Sequence, residues 1–137
     1  MEVRDGMSSV VLALGPDHTL RQASAKMTEK GTGAALVFDD ESPAPRIITE
    51  RDVLNAVGNG VDPDEAKVAD HMSDSVISAP PDWSLERAAQ EMVKIGIRHL
   101  VVVENGELAG VLSMRDIVRC WTSGDVGRGA SDRATTA

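Results

Sequence analysis

Residues 111–118 read VLSMRDIV, and residues 47–54 read IITERDVL. Both run as two apolar residues, a Ser or Thr, two variable positions, an Asp, and then apolar residues again. An apolar strand pattern that gives way at a hydroxyl to helical spacing marks a strand running straight into a helix. One such corner is ordinary. Two of them in 137 residues point to a duplicated unit.

The duplication extends far beyond the corners. At an offset of 65, Val3, Asp5, Met7, Ser8, Val11, Pro16, Asp17, Leu20, Ala23, Met27, Gly31 and Val37 fall on identical residues, twelve within positions 3 to 39. Chance at ordinary composition gives about two or three. A one-residue deletion then moves the offset to 64, which sets Thr49, Arg51 and Asp52 against Ser113, Arg115 and Asp116. Two copies of so long a period do not make a solenoid. They predict two similar units packed about a pseudo-twofold.

Each copy reads strand, helix, strand, strand, helix, an α+β fold. In the second, Val76–Ser78 is extended, Pro80, Pro81 and Asp82 form a turn, and Ser84 caps a helix over Leu85–Ile95. Leu85, Ala88, Ala89, Met92 and Val93 share one face of that helix, and Gly96 stops it. The run HLVVVE at 99–104 is a buried strand and Asn105-Gly106 a hairpin turn. Leu108–Ser113 is the returning strand and Met114–Trp121 the last helix. The first copy gives Leu20–Lys30, Ala34–Asp39, Ile47–Thr49 and Glu50–Val57 in the same order, with Thr19 and Gln22 as a capping box. Its hairpin turn, DDESPAP, is longer. The expected domain plan is repeat 1 at 1–60, a linker at 61–67, repeat 2 at 68–121, and a tail at 122–137. The tail is small and polar, and is expected to lack fixed structure.

Composition narrows the functions. A formal charge of −8 disfavours duplex nucleic acid and anionic membranes as partners. No apolar run approaches the roughly 20 residues of a bilayer span. The run Val10–Leu14 is too short for a signal peptide, so a cytoplasmic location is the expectation. Cys120 is the single cysteine, and its apolar helical run suits a core residue better than a nucleophile. His18, His71 and His99 are dispersed, without metal-ligand spacing. No set of nucleophile, base and orienting group appears, so neither an enzyme nor a required cofactor is expected.

The corner itself has two chemical readings. Ser or Thr at an N-cap with an acid three residues on is a capping device, and the Asp suits the positive end of the helix dipole. The same free N–H groups attract phosphate. An ionised Asp offers two acceptor oxygens, which suits the neighbouring hydroxyls of a ribose. A β-branched segment such as Val76–Ile77 is suited to cover a purine. Capping alone explains one copy. Its repetition at the same place, despite the altered spacer before it, favours a ligand.

The ordered segments PDHTL, GAALVFDD and IITERD, then PDWSL, GIRHLVVVE and GVLSMRD, resemble the cystathionine-β-synthase (CBS) domain, which occurs in tandem pairs. The preludes VRDGMS and VADHMS fit as well, so the resemblance covers residues 3–121. It implies β-α-β-β-α repeats packed sheet to sheet, as in a Bateman module. It also implies a non-catalytic regulatory role and two clefts for AMP, ADP, ATP, S-adenosylmethionine or NAD-type ligands. Carried onto this sequence, Thr49 and Asp52 serve one cleft with Val76 and Ile77 near the base. Ser113 and Asp116 serve the other with Val10 and Val11. Arg51 and Arg115 stand beside the motif, and Arg98 and His99 stand where basic residues meet phosphate, each with a plain structural alternative. The chain resembles the stand-alone class: a homodimer whose regulated partner, not identifiable from sequence, acts in trans. Two departures make the clefts unequal: Arg46 where the family has Gly, and Gly33-Ala34 opposite Arg98-His99. Arg46 is the feature that favours the alternative, a ligand-free structural or interaction module.

Overall fold

The computed structural model describes residues 1–73 and 76–126. The chain divides into two compact units, residues 10–76 and a discontinuous one made of 1–9 with 77 onward.

In the unit 10–76, β1 (Ala13–Leu14) leads into α2 (Leu20–Lys30), β2 (Ala34–Asp39), β3 (Ser42–Thr49) and α3 (Glu50–Gly58). The sheet order is β1-β2-β3, parallel between β1 and β2 and antiparallel between β2 and β3. A parallel pair needs a long crossover, which α2 supplies. Thr19 and Gln22 form the reciprocal capping box that opens α2, and Gly31 closes it in the left-handed conformation at φ 67°.

The other unit repeats the plan with β4 (Ser78–Ala79), α4 (Leu85–Ile95), β5 (His99–Glu104), β6 (Glu107–Ser113) and α5 (Met114–Val126) in sheet order β4-β5-β6. The Ser84 hydroxyl accepts from the Arg87 N–H to cap α4. Asn105 (φ 54°) and Gly106 (φ 79°) both have positive φ, as a two-residue hairpin of the mirror-image type requires. The last helix runs five residues past Trp121, into the stretch expected to be tail. Residues 127–137 of the expected tail lie outside the described residues.

The first hairpin differs from its reading. DDESPAP is not a long turn: the turn is Asp40-Glu41, and β3 already begins at Ser42. Asp39 Oδ1 accepts from the Glu41 N–H at 3.0 Å and fixes this turn. Pro43 and Pro45 are tolerated because β3 is an edge strand, where a missing N–H need not break a ladder.

The two lead-in preludes become structured on crossed partners. VRDG forms α1 (Val3–Gly6), and Val68–Asp70 forms a single 3-10 turn. The Val3 N–H donates to the Trp83 carbonyl at 2.8 Å and the Arg4 N–H to Pro81 at 3.0 Å, both in the second repeat. In the first repeat the Val68 N–H donates to His18 at 2.8 Å and the Ala69 N–H to Pro16 at 3.0 Å, the same contacts at the 65-residue offset. Ser8 bridges Val111, and Ser73 bridges Ile47. Each prelude therefore docks on the Pro-Asp turn of the repeat that it does not introduce.

The cores match position by position. One holds Leu20, Ala23, Met27, Ala35, Val37 and Ile48 with Val68; the other holds Leu85, Ala88, Met92, Leu100, Val102 and Leu112 with Val3. Each core thus contains the valine of the other copy's prelude. Cys120 packs at the edge of the second core, as its apolar run suggested.

Candidate functional site

Both strand-to-helix corners form as the sequence implies. Thr49 ends β3 and is the N-cap of α3. Its hydroxyl accepts from the Asp52 N–H at 3.3 Å, while Asp52 Oδ2 accepts from the Thr49 N–H at 2.8 Å and from the Thr49 hydroxyl at 3.0 Å. At the second corner Ser113 Oγ accepts from the Asp116 N–H at 3.0 Å, and Asp116 Oδ2 accepts from the Ser113 N–H at 2.9 Å. Both are complete capping boxes. In each, one carboxylate oxygen is committed to the chain's own backbone.

The second carboxylate oxygens differ. Asp116 Oδ1 is held by Arg119 Nη2 at 2.6 Å. Among the described residues, no hydrogen bond or ion pair reaches Asp52 Oδ1. Arg119 was absent from the residues singled out by sequence. The D-x-x-R spacing that places it one helical turn after the aspartate was legible.

The loop preceding each central strand braces its corner. The Glu50 N–H donates to the Gly33 carbonyl and the Met114 N–H to the Arg98 carbonyl, each at 2.9 Å. A Cβ on Gly33 would strike the Glu50 carboxylate, so the first corner has an acid lying where the second carries an arginine. Arg98, Arg115 and Arg119 are exposed, while His99 is half-buried and paired in register with Ser113. The second corner is therefore rich in positive charge. The first sets Glu50 and Asp52 against exposed Arg51.

Val10, Val11 and Val76 belong to the unit that carries Thr49 and Asp52. Ile77 belongs with Ser113 and Asp116, where its carbonyl accepts from the Val101 N–H at 3.0 Å. Val10 is 84% exposed. The chain passes from one unit to the other at Ser9–Val10 and again at Val76–Ile77, so the segments expected to flank adenine are the crossings themselves.

The two departures acquire structural accounts. Gly110 sits where a Cβ would collide with the Ser8 carbonyl, so it admits the prelude that bridges Val111. Arg46, at the matching place, pairs with Val37 across the sheet, and its guanidinium lies 3.9 Å from the Asp39 carboxylate. No group of three or more metal-binding side chains occurs among the described residues. No helix among them is long and apolar enough to cross a membrane.

The family model for the CBS domain matches residues 2–59 and again 68–122. An uncharacterized protein of Methanopyrus kandleri, MK0525, is 37% identical over 111 residues, which is 80% of this chain and 57% of that protein. The chain spans 41–66% of the length of the first three curated relatives it matches. A CBS-domain protein of Burkholderia ambifaria MC40-6 superposes with a TM-score of 0.82 at 26% identity, covering 90% of this chain and 95% of that one. The CBS domain protein PAE2072 of Pyrobaculum aerophilum, solved in complex with AMP, superposes with a TM-score of 0.73 at 30% identity over 85% of this chain and 89% of that one.

Proposed function

Because the chain belongs to the CBS-domain family and carries the domain twice, we propose that it is a non-catalytic regulatory module. It takes an adenosine-containing ligand at its strand-to-helix corners and signals to a partner protein in trans. The observation carrying this reading is the paired corner: the family's hydroxyl and aspartate stand at the start of α3 and again at the start of α5. The AMP complex of a relative 30% identical to this chain supports an adenylate as one member of the ligand class. The aspartate would accept from ribose hydroxyls, and the helix N-terminus with its nearby arginines would face phosphate. Ligand binding then shifts the population of conformations offered to the partner.

The copy-to-copy symmetry also supports a homodimer. The last helix of each repeat exposes an apolar pair one turn apart, Leu54 with Val57 on α3 and Val118 with Trp121 on α5. These positions correspond at the 64-residue offset. A second copy of this chain is the occupant proposed for these faces.

A melting-temperature panel with ATP, ADP, AMP, S-adenosylmethionine and NADH tests the ligand reading. A compound at one hundred times its dissociation constant adds about 2.7 kcal/mol. In a domain of this size that raises Tm by several degrees. Asp52→Ala and Asp116→Ala then assign the corner. One observation favours the alternative of a ligand-free interaction module: both aspartates already spend Oδ2 on their own helix caps. A flat response to all five compounds would select it.

A further inference from the structure

We infer that Arg119 is the residue that makes the two corners unequal toward a ribose diol, leaving Asp52 as the preferred partner and Asp116 as the weaker one. This rests on the adenosyl reading above and adds a ranking that neither the family nor the motif supplies.

A vicinal diol has two O–H donors and is best met by a carboxylate with acceptor capacity to spare. Capping uses Oδ2 of both aspartates, with bonds of 2.8 and 2.9 Å to the Thr49 and Ser113 amides, and at Asp52 the Thr49 hydroxyl donates to the same oxygen at 3.0 Å. The difference that bears on a further donor lies in Oδ1, the oxygen that capping leaves over. At α5 it accepts from Arg119 at 2.6 Å, across a pair whose aspartate side chain is 15% exposed and whose arginine is 58% exposed. At α3 the place of Arg119 is taken by Asn55, an exposed neutral residue, and no side chain among the described residues reaches Asp52 Oδ1. A diol approaching Asp116 must first displace a charged donor from the oxygen it needs; one approaching Asp52 displaces none. An exposed ion pair is weak, so the handicap amounts to about fivefold at most.

The test is an amide-resolved NMR titration of the intact chain with adenosine, whose neutrality keeps the Glu50 and Arg98 charges out of the comparison. The Thr49 and Ser113 amides, each bonded to its aspartate, report the corners separately. In the unaltered protein the Thr49 amide titrates at up to about fivefold lower adenosine than the Ser113 amide. In Arg119→Asn the Ser113 midpoint falls to meet that of Thr49. In Asn55→Arg, a surface change to a better helix former that does not lower Tm, the Thr49 midpoint rises to meet that of Ser113. 2′-Deoxyadenosine binds more weakly than adenosine at Thr49 in the unaltered protein, and Arg119→Asn brings the same discrimination to Ser113. A purely structural Arg119 would leave that discrimination unmoved. Equal midpoints in the unaltered protein, or midpoints that ignore both substitutions, overturn the inference while the adenosyl reading stands. If adenosine, AMP and S-adenosylmethionine all leave both amides unshifted in all three proteins, the adenosyl reading falls and takes this ranking with it.

Discussion

Glycine does two different jobs in this molecule, and the neighbouring atom decides the cost of replacing it. At Gly110 a Cβ would meet the carbonyl of Ser8, a backbone atom held by the Ser8–Val111 bridge. At Gly33 the clash is with the tip of the exposed Glu50 side chain, which can rotate away. Gly110→Ala is therefore expected to cost about 1–3 kcal/mol, the range for overpacking a fixed site, and Gly33→Ala under about 0.5 kcal/mol. Urea unfolding of the two variants checks the order, and equal costs would contradict the bridge. The same scale shows what the sequence could and could not disclose. The S/T-x-x-D corners were fully legible because capping is local and leaves a fixed spacing. The role of Gly110 was not, because its close neighbour Ser8 is a hundred residues away in the chain.

At the scale of elements, the helices and central strands were readable wherever their own termini signalled them: Thr19, Ser84, Gly31, Gly96 and Asn105-Gly106 all act as their residue types suggest. The start of β3 was hidden by Pro43 and Pro45, since proline reads as a turn until the strand is known to be at an edge. The preludes carried a repeat but no local sign of where they dock, because docking is decided by buried contacts. Val3 and Val68 are both fully buried. Val3→Ala removes apolar surface from the core containing Leu85, Leu100 and Leu112, at a cost on the order of 2 kcal/mol. The expected outcome is faster amide exchange in β5 and β6 with β2 and β3 unaffected, and Val68→Ala should do the reverse. Loss of protection in the repeat that follows the altered prelude in sequence would refute the crossed arrangement.

At the scale of the whole molecule, the apolar pairs on α3 and α5 set a limit on how the chain lives in water. Leu54 is 70% exposed and Trp121 is 48% exposed, on the faces proposed above to meet a second copy of the chain. Leu54→Asp combined with Val118→Asp is expected to halve the mass seen by light scattering after size exclusion while leaving far-UV circular dichroism unchanged. An unaltered protein that is already monomeric would remove the second copy from the proposal.

The crossed preludes also decide how this chain would carry tension. Residues 1–9 and α5 sit in one body, and residues 10–76 are inserted within it. A pull between handles on Glu2 and Thr122 would load that discontinuous body alone. The inserted body would bear nothing until α1 was torn from its groove beside Trp83 and Pro81. The first rupture event would therefore lie in the half of the molecule that the chain both begins and finishes, and the other half would stay slack behind it.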